Sequence, residues 1–185
     1  NDADPAELGP LSSVGLIGTP GSITAANGIN LDGGEAINGF GAVSVGPTAP
    51  QRIRNNGSIT GNSTTERITL SGYVTGSGSF TNVVFTGTLS PSISFPAVPT
   101  GLVSGSNYKF TETSNLAMDI AGANPGFGYD VIFSTGQFIA DGTFTVNLLD
   151  GYSPTLGQTF DLLDFTTLTG TFDALDLPVL SPGLV

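Results

Sequence analysis

Eight aspartates, Asp119, Asp130, Asp141, Asp150, Asp161, Asp164, Asp173 and Asp176, recur along the C-terminal part of the chain at about the interval of a strand plus its turn. Stacked on neighbouring strands, several of them would form an acidic ladder able to take Ca²⁺ through carboxylate oxygens. No EF-hand loop and no Gly-rich nonapeptide pattern accompanies them. Aspartates at turns and on solvent faces also have a plainer use, because charge there opposes edge-to-edge aggregation. The same carboxylates could supply a general acid and base for glycoside hydrolysis. Their spacing does not set two of them at a catalytic separation, and a chain without Trp is a poor sugar platform. The absence of His and Cys removes imidazole and thiolate metal sites, disulfides, and Ser-His-Asp or Cys-His catalysis. The chain is therefore read as having no cofactor and no catalytic residue, and as non-enzymatic.

Two further signals have bland readings. Lys109, the single lysine, stands between Tyr108 and Phe110; a strand lysine that keeps its ammonium in water while its stem packs accounts for it. Asn56-Gly57-Ser58 and Asn62-Ser63-Thr64 match the acceptor pattern for N-linked sugars.

The elements that would position these residues are strands. Gly, Thr, Ser and Asn dominate the 185 residues, whereas the straight-chain residues that favour helix are scarce. No apolar period of 3.6 residues competes with the alternation. The fold class predicted is all-β, a Gly-rich solenoid-like (parallel β-helix) or sandwich body with an extended N-terminal arm. A net charge of −11 excludes phosphate neutralisation, and with it nucleic acid as a partner.

Composition divides the chain into three zones. Residues 1–20 form an acidic, Pro-containing arm that becomes apolar at Leu8, Leu11, Val14, Leu16 and Ile17. Residues 21–107 hold all three arginines, and Asn-Gly and other Gly turns punctuate their short strands. Residues 108–185 form an acidic module with strands every 10 to 16 residues. Within these zones, Ile68, Leu70 and Val74 face one way along a single half-buried strand. The run Phe80 to Leu89, with Val83 beside Val84, reads as a strand covered on both sides. Pro91, Pro96 and Pro99 read as a connection, since Pro lacks a ladder donor. Phe127, Tyr129, Val131 and Phe133 alternate, as do Phe144, Val146 and Leu148. One core is expected from Phe133, Phe144, Val146, Leu148, Phe160 and Phe172.

The run Tyr129-Asp130-Val131-Ile132-Phe133, Gly136, Gly142-Thr143-Phe144-Thr145-Val146, Gly151-Tyr152-Ser153-Pro154, Gly157, Phe160, Gly170-Thr171-Phe172 and Leu177-Pro178 resembles the C-terminal module of exported bacterial proteins bearing PEP-CTERM-type sorting tails. Upstream, Asn56 to Gly61, Ile68 to Gly72 and Phe85 to Pro91 resemble the Gly-rich strand repeats of the same proteins and of autotransporter passengers. The resemblance implies a structural surface or matrix protein. Related sequences continue past the Leu-Pro pair, so a final strand is expected to be missing.

The chain opens on Asn1 and has no apolar run long enough to span a membrane. An exported protein freed of its signal peptide, extracellular or on the cell surface, is expected. The arm then acquires a role: Leu8, Leu11, Val14, Leu16 and Ile17 are the expected subunit interface, donated to a neighbour's open sheet edge. Head-to-tail addition of this kind need not close and gives a filament. The partner expected is therefore the chain itself, and the alternative is an adhesive module that binds surface glycans.

Overall fold

The computed structural model describes residues 6–7, 13–47, 50–92, 100–180 and 183, and among them every regular element is a strand. In chain order these are β1 (Ala6–Glu7), β2 (Ser13–Ala25), β3 (Ile29–Leu31), β4 (Ala36–Val45), β5 (Arg52–Asn55), β6 (Ser58–Gly61), β7 (Ile68–Ser71) and β8 (Tyr73–Gly76). There follow β9 (Ser79–Phe85), β10 (Thr88–Pro91), β11 (Leu102–Phe110), β12 (Asn115–Ile120), β13 (Val131–Ala140), β14 (Thr143–Leu148), β15 (Leu163–Gly170) and β16 (Ala174–Asp176).

The chain alternates between two sheets. The first runs β1-β3-β5-β8-β10-β12-β14-β16; the second runs β2-β4-β9-β11-β13-β15, with β6 and β7 lying end to end between β4 and β9. All pairs within both sheets are parallel. The protein is thus all-β. A main core lies between the two sheets, and the single core expected in the C-terminal part is divided: Phe144 and Phe172 pack on the main core, while Val146, with Leu148 and Phe160 against it, belongs to a smaller cluster with Ile120 and Tyr129.

Side chains of like kind stack through this register. In the first sheet Ile29, Ile53, Val74, Leu89, Leu116 and Phe144 are successive partners in one inward column. In the second, Ile68, Val83, Tyr108 and Phe138 form another. Aromatic rings thicken the C-terminal half of the core: Phe85 lies 5.0 Å from Phe110, which lies 5.3 Å from Phe138. Burying a large side chain of this kind is worth roughly 1.5–3 kcal/mol before ordering costs.

Several expectations need correction. Ile68, Leu70 and Val74 do all face the core, but they belong to two strands in different sheets, because Gly72 turns the corner at φ +98. A Cβ there would strike the Val45 and Gly46 carbonyl oxygens. Phe80 to Leu89 is likewise two strands, and its core side is single: Phe80, Val83 and Phe85 are buried while Val84 faces outward. The parity changes at Asn82, whose φ is +53, and β11 changes parity beside it at Asn107, φ +59, so the register between the two strands is kept. Pro91 closes β10 instead of lying in a connection, opposite Gly76 and beyond the stretch that β12 pairs. Phe133 is not in the core. It is 41% exposed, and Ile132 and Ser134 point inward in its place. Position 107/108 falls inside β11, which pairs on both sides, so the second sheet runs through it.

The bulges form a line across the second sheet. Register breaks between Leu16 and Gly21, between Gly105 and Tyr108, and between Ser134 and Gln137. A ladder of amides stitches it: Asn82 donates to the Gly61 carbonyl at 3.0 Å, Asn107 donates to the Asn82 side chain at 2.9 Å, and Gln137 N donates to the Asn107 side chain at 3.1 Å. Arg67 adds donors to the Val83 and Asn107 carbonyls.

Candidate functional site

The inward columns continue to the last rung and there meet no cover among the described residues. Phe138 is followed by Leu168, and Phe144 by Leu175. Leu168 is 49% and Leu175 64% exposed, although they continue columns that are buried from Ile68 to Phe138 and from Ile29 to Leu116. Between them runs an apolar groove of about 380 Å³, floored by Phe138 and Ala140 and walled by Leu163, Phe165 and Phe172. Phe172 is set in place by Phe144, 5.2 Å away, and Phe110, 6.3 Å away. Among the described residues β15 pairs with β13 alone and β16 with β14 alone, so the outer edges of both strands have no described strand beside them.

The opposite end carries the residues expected at the subunit interface. Val14 and Leu16 lie in β2 and pair with Ile37 and Gly39 of β4. Leu16 is buried in the chain's own core and Val14 is half-buried, so in this chain they complete their own sheet instead of reaching out for another. Ile17 belongs to the same strand. Leu8 and Leu11 lie outside the described residues. The open feature at this end is the outer edge of β2, which among the described residues has β4 as its one partner strand.

The aspartates do not converge. Among the described residues no three acidic side chains gather where they could hold a metal ion. Two are nevertheless built into the fold. Asp130 is wholly buried and accepts hydrogen bonds from Gly101 N at 2.7 Å and Asp119 N at 2.8 Å, tying the start of β11 to the end of β12. Burial pushes its pKa up to about 9, against the pull of those two donors, and the neighbouring Asp119 charge adds to the rise. Asp119 accepts from Asn147 at 2.8 Å, and burial raises its pKa as well. These carboxyls fasten a corner of the fold.

A second groove, also about 380 Å³, lies on the outer face of the second sheet. Leu102, Val131 and Phe133 form its floor, with Tyr129 and Pro125 on one side and Asp161 and Asp164 on the other. The sequence alternation hides this groove, because it assigns Phe133 to the core. Lys109 points outward between buried Tyr108 and Phe110, as a strand lysine does.

Comparison with family models, curated proteins and solved structures finds no match.

Proposed function

We propose that the protein is an exported structural subunit, not an enzyme, and that it assembles end to end by adding one copy's last rung to the first rung of the next. The observation that carries this reading is the uncovered inward rung at Leu168 and Leu175, flanked by two unpaired strand edges. The edge of β2 suits β15: both sheet ends run parallel to their neighbours, and both carry the bulge line, at Leu16/Gly21 and near Ser134/Gln137. Docking β2 of a second copy against β15 would continue the ladder, pair main-chain groups and bury the apolar groove together. The contact is heterologous, so copies add without closing. The Gly, Thr, Ser and Asn richness, the −11 charge and the likeness to PEP-CTERM-sorted proteins support a place outside the cell.

Sedimentation and negative-stain microscopy of the protein, alongside Leu168→Arg and Leu175→Arg, test this. Wild type should form concentration-dependent linear polymers. Both variants should melt as wild type does and sediment as monomers, since a charge in a dry interface is costly. A wild type that stays monomeric at high concentration, or arginine variants that polymerise unchanged, would overturn the reading.

A further inference from the structure

We infer that the outer groove of the second sheet is a binding site for a glycan chain that carries free amino groups. The floor is unusual for an outward sheet face: Leu102 is 44% exposed beside Phe133, and both are large and apolar. A flat apolar floor fits the C–H face of a sugar ring, and an exposed phenyl ring attracts a nearby ammonium. Asp161 and Asp164 supply acceptors at the rim, and neither has an ion-pair partner among the described residues. Asp164 is the direct cross-strand neighbour of Phe133, which places charge and ring side by side.

The groove also opens onto a row of hydroxyls. Phe133 is the partner of Ser104, Ser104 of Ser79, and Ser79 of Ser58, so the outward row reads carboxylate, ring, then three hydroxyls across successive strands. The strand spacing of about 4.8 Å makes this a straight track of regularly placed polar groups. A linear chain of hydroxylated rings can follow such a track. A polyanionic glycan is excluded by the two carboxylates and by the charge of −11. A peptide would gain less here, because β9, β11 and β13 are paired on both edges and have no free backbone to extend. The site uses the outward face of the sheet, whereas assembly would use the inward face and free edge of the end rung; Asp164, in β15, is the one lining residue that the last strand of the second sheet contributes.

Calorimetric titration of the protein with a soluble glucosamine hexamer, in mildly acidic buffer so that its amines are protonated, tests the assignment. The fully N-acetylated hexamer and hexalysine serve as comparisons. The glucosamine hexamer should bind saturably, and each comparison ligand at least about tenfold more weakly, a difference of about 1.4 kcal/mol. Phe133→Ser should weaken the glucosamine hexamer by a similar factor. Asp161→Asn combined with Asp164→Asn should abolish its preference over the acetylated one. Both variants should keep the wild-type melt, since the altered side chains face solvent. No saturable binding of the glucosamine hexamer, equal binding of the acetylated hexamer to wild type, or hexalysine binding as tightly with no effect of Phe133→Ser would each overturn it.

Discussion

Burial of the Asp130 carboxyl couples stability to pH in a definite direction. A carboxyl whose folded pKa stands above its ordinary value of 3.8 keeps a proton that the unfolded chain has already lost. Its contribution is fully present below pH 3.8 and is lost as pH rises toward about 9. Asp119, raised for the same reason, adds to the same slope. The melting temperature should therefore fall between mildly acidic and mildly alkaline buffer, and Asp130→Asn should flatten that fall. An unchanged slope in the variant would show that Asp130 is ionised in the fold. Phenylalanines give a second test at this scale. Phe85→Ala removes a ring packed against Phe80, Tyr108 and Phe110, and should cost about 3–5 kcal/mol in denaturant unfolding. Phe133→Ser should change stability by less than about 0.5 kcal/mol, as exposed substitutions do. The sequence makes Phe85 and Phe133 look alike, each an aromatic in an alternating run. Each also has an apolar neighbour, Val84 and Ile132, and period-two reading has no basis for choosing between adjacent apolar positions.

Elements were legible where alternation ran unbroken and illegible where a bulge intervened. Leu116, Met118 and Ile120 alternate in the sequence and are all buried in β12. In β9 and β11 the same logic fails halfway, because Asn82 and Asn107 adopt φ of +53 and +59 and invert the faces beyond them. Asn tolerates that conformation more readily than other side chains, but a lone Asn in a strand looks like any surface polar residue. Its partner on the next rung identifies it, and pairing between rungs lies beyond local reading. Asn107→Ala would remove its bonds to Asn82 and Gln137 and leave an ill-suited residue at positive φ. A loss of about 2 kcal/mol is expected from unmade hydrogen bonds and backbone strain. If the variant unfolds at the wild-type denaturant midpoint, the amide ladder contributes nothing net and the bulge holds by sterics alone. The end rung was not legible either: Leu168 and Leu175 look like ordinary core residues until the register shows that no described strand pairs beyond them.

Across the whole molecule, stability should decline toward the last rung. In a stack where each rung contacts its neighbours, a terminal rung has one interface instead of two. Amide exchange in dilute solution should therefore be fastest in β15 and β16 and slowest in β9 and β11. Raising the concentration should protect β15 if copies add there, and added salt should strengthen the effect by screening Asp164, Asp173 and Asp176 around that end. Protection of β15 equal to that of β9 in the dilute monomer would mean that its edge is already covered and would remove the ground for assembly.

One irregularity has a practical side. β6 and β7 share the same two neighbours, β4 and β9, so residues 62–67 are an excursion within a single rung at the line of bulges. Both ends of the excursion are pinned, Asn62 N to the Gly39 carbonyl at 3.0 Å and the Arg67 carbonyl to Gly41 N at 3.2 Å. The strands on either side take their alignment from β4 and β9, whatever the length of chain between them. Doubling the excursion would cost only about 0.6 kcal/mol in closure entropy. A foreign peptide spliced in after Thr65 would thus be presented on the flank of the stack, and in a polymer it would recur once per subunit, in fixed array, as a scaffold for display.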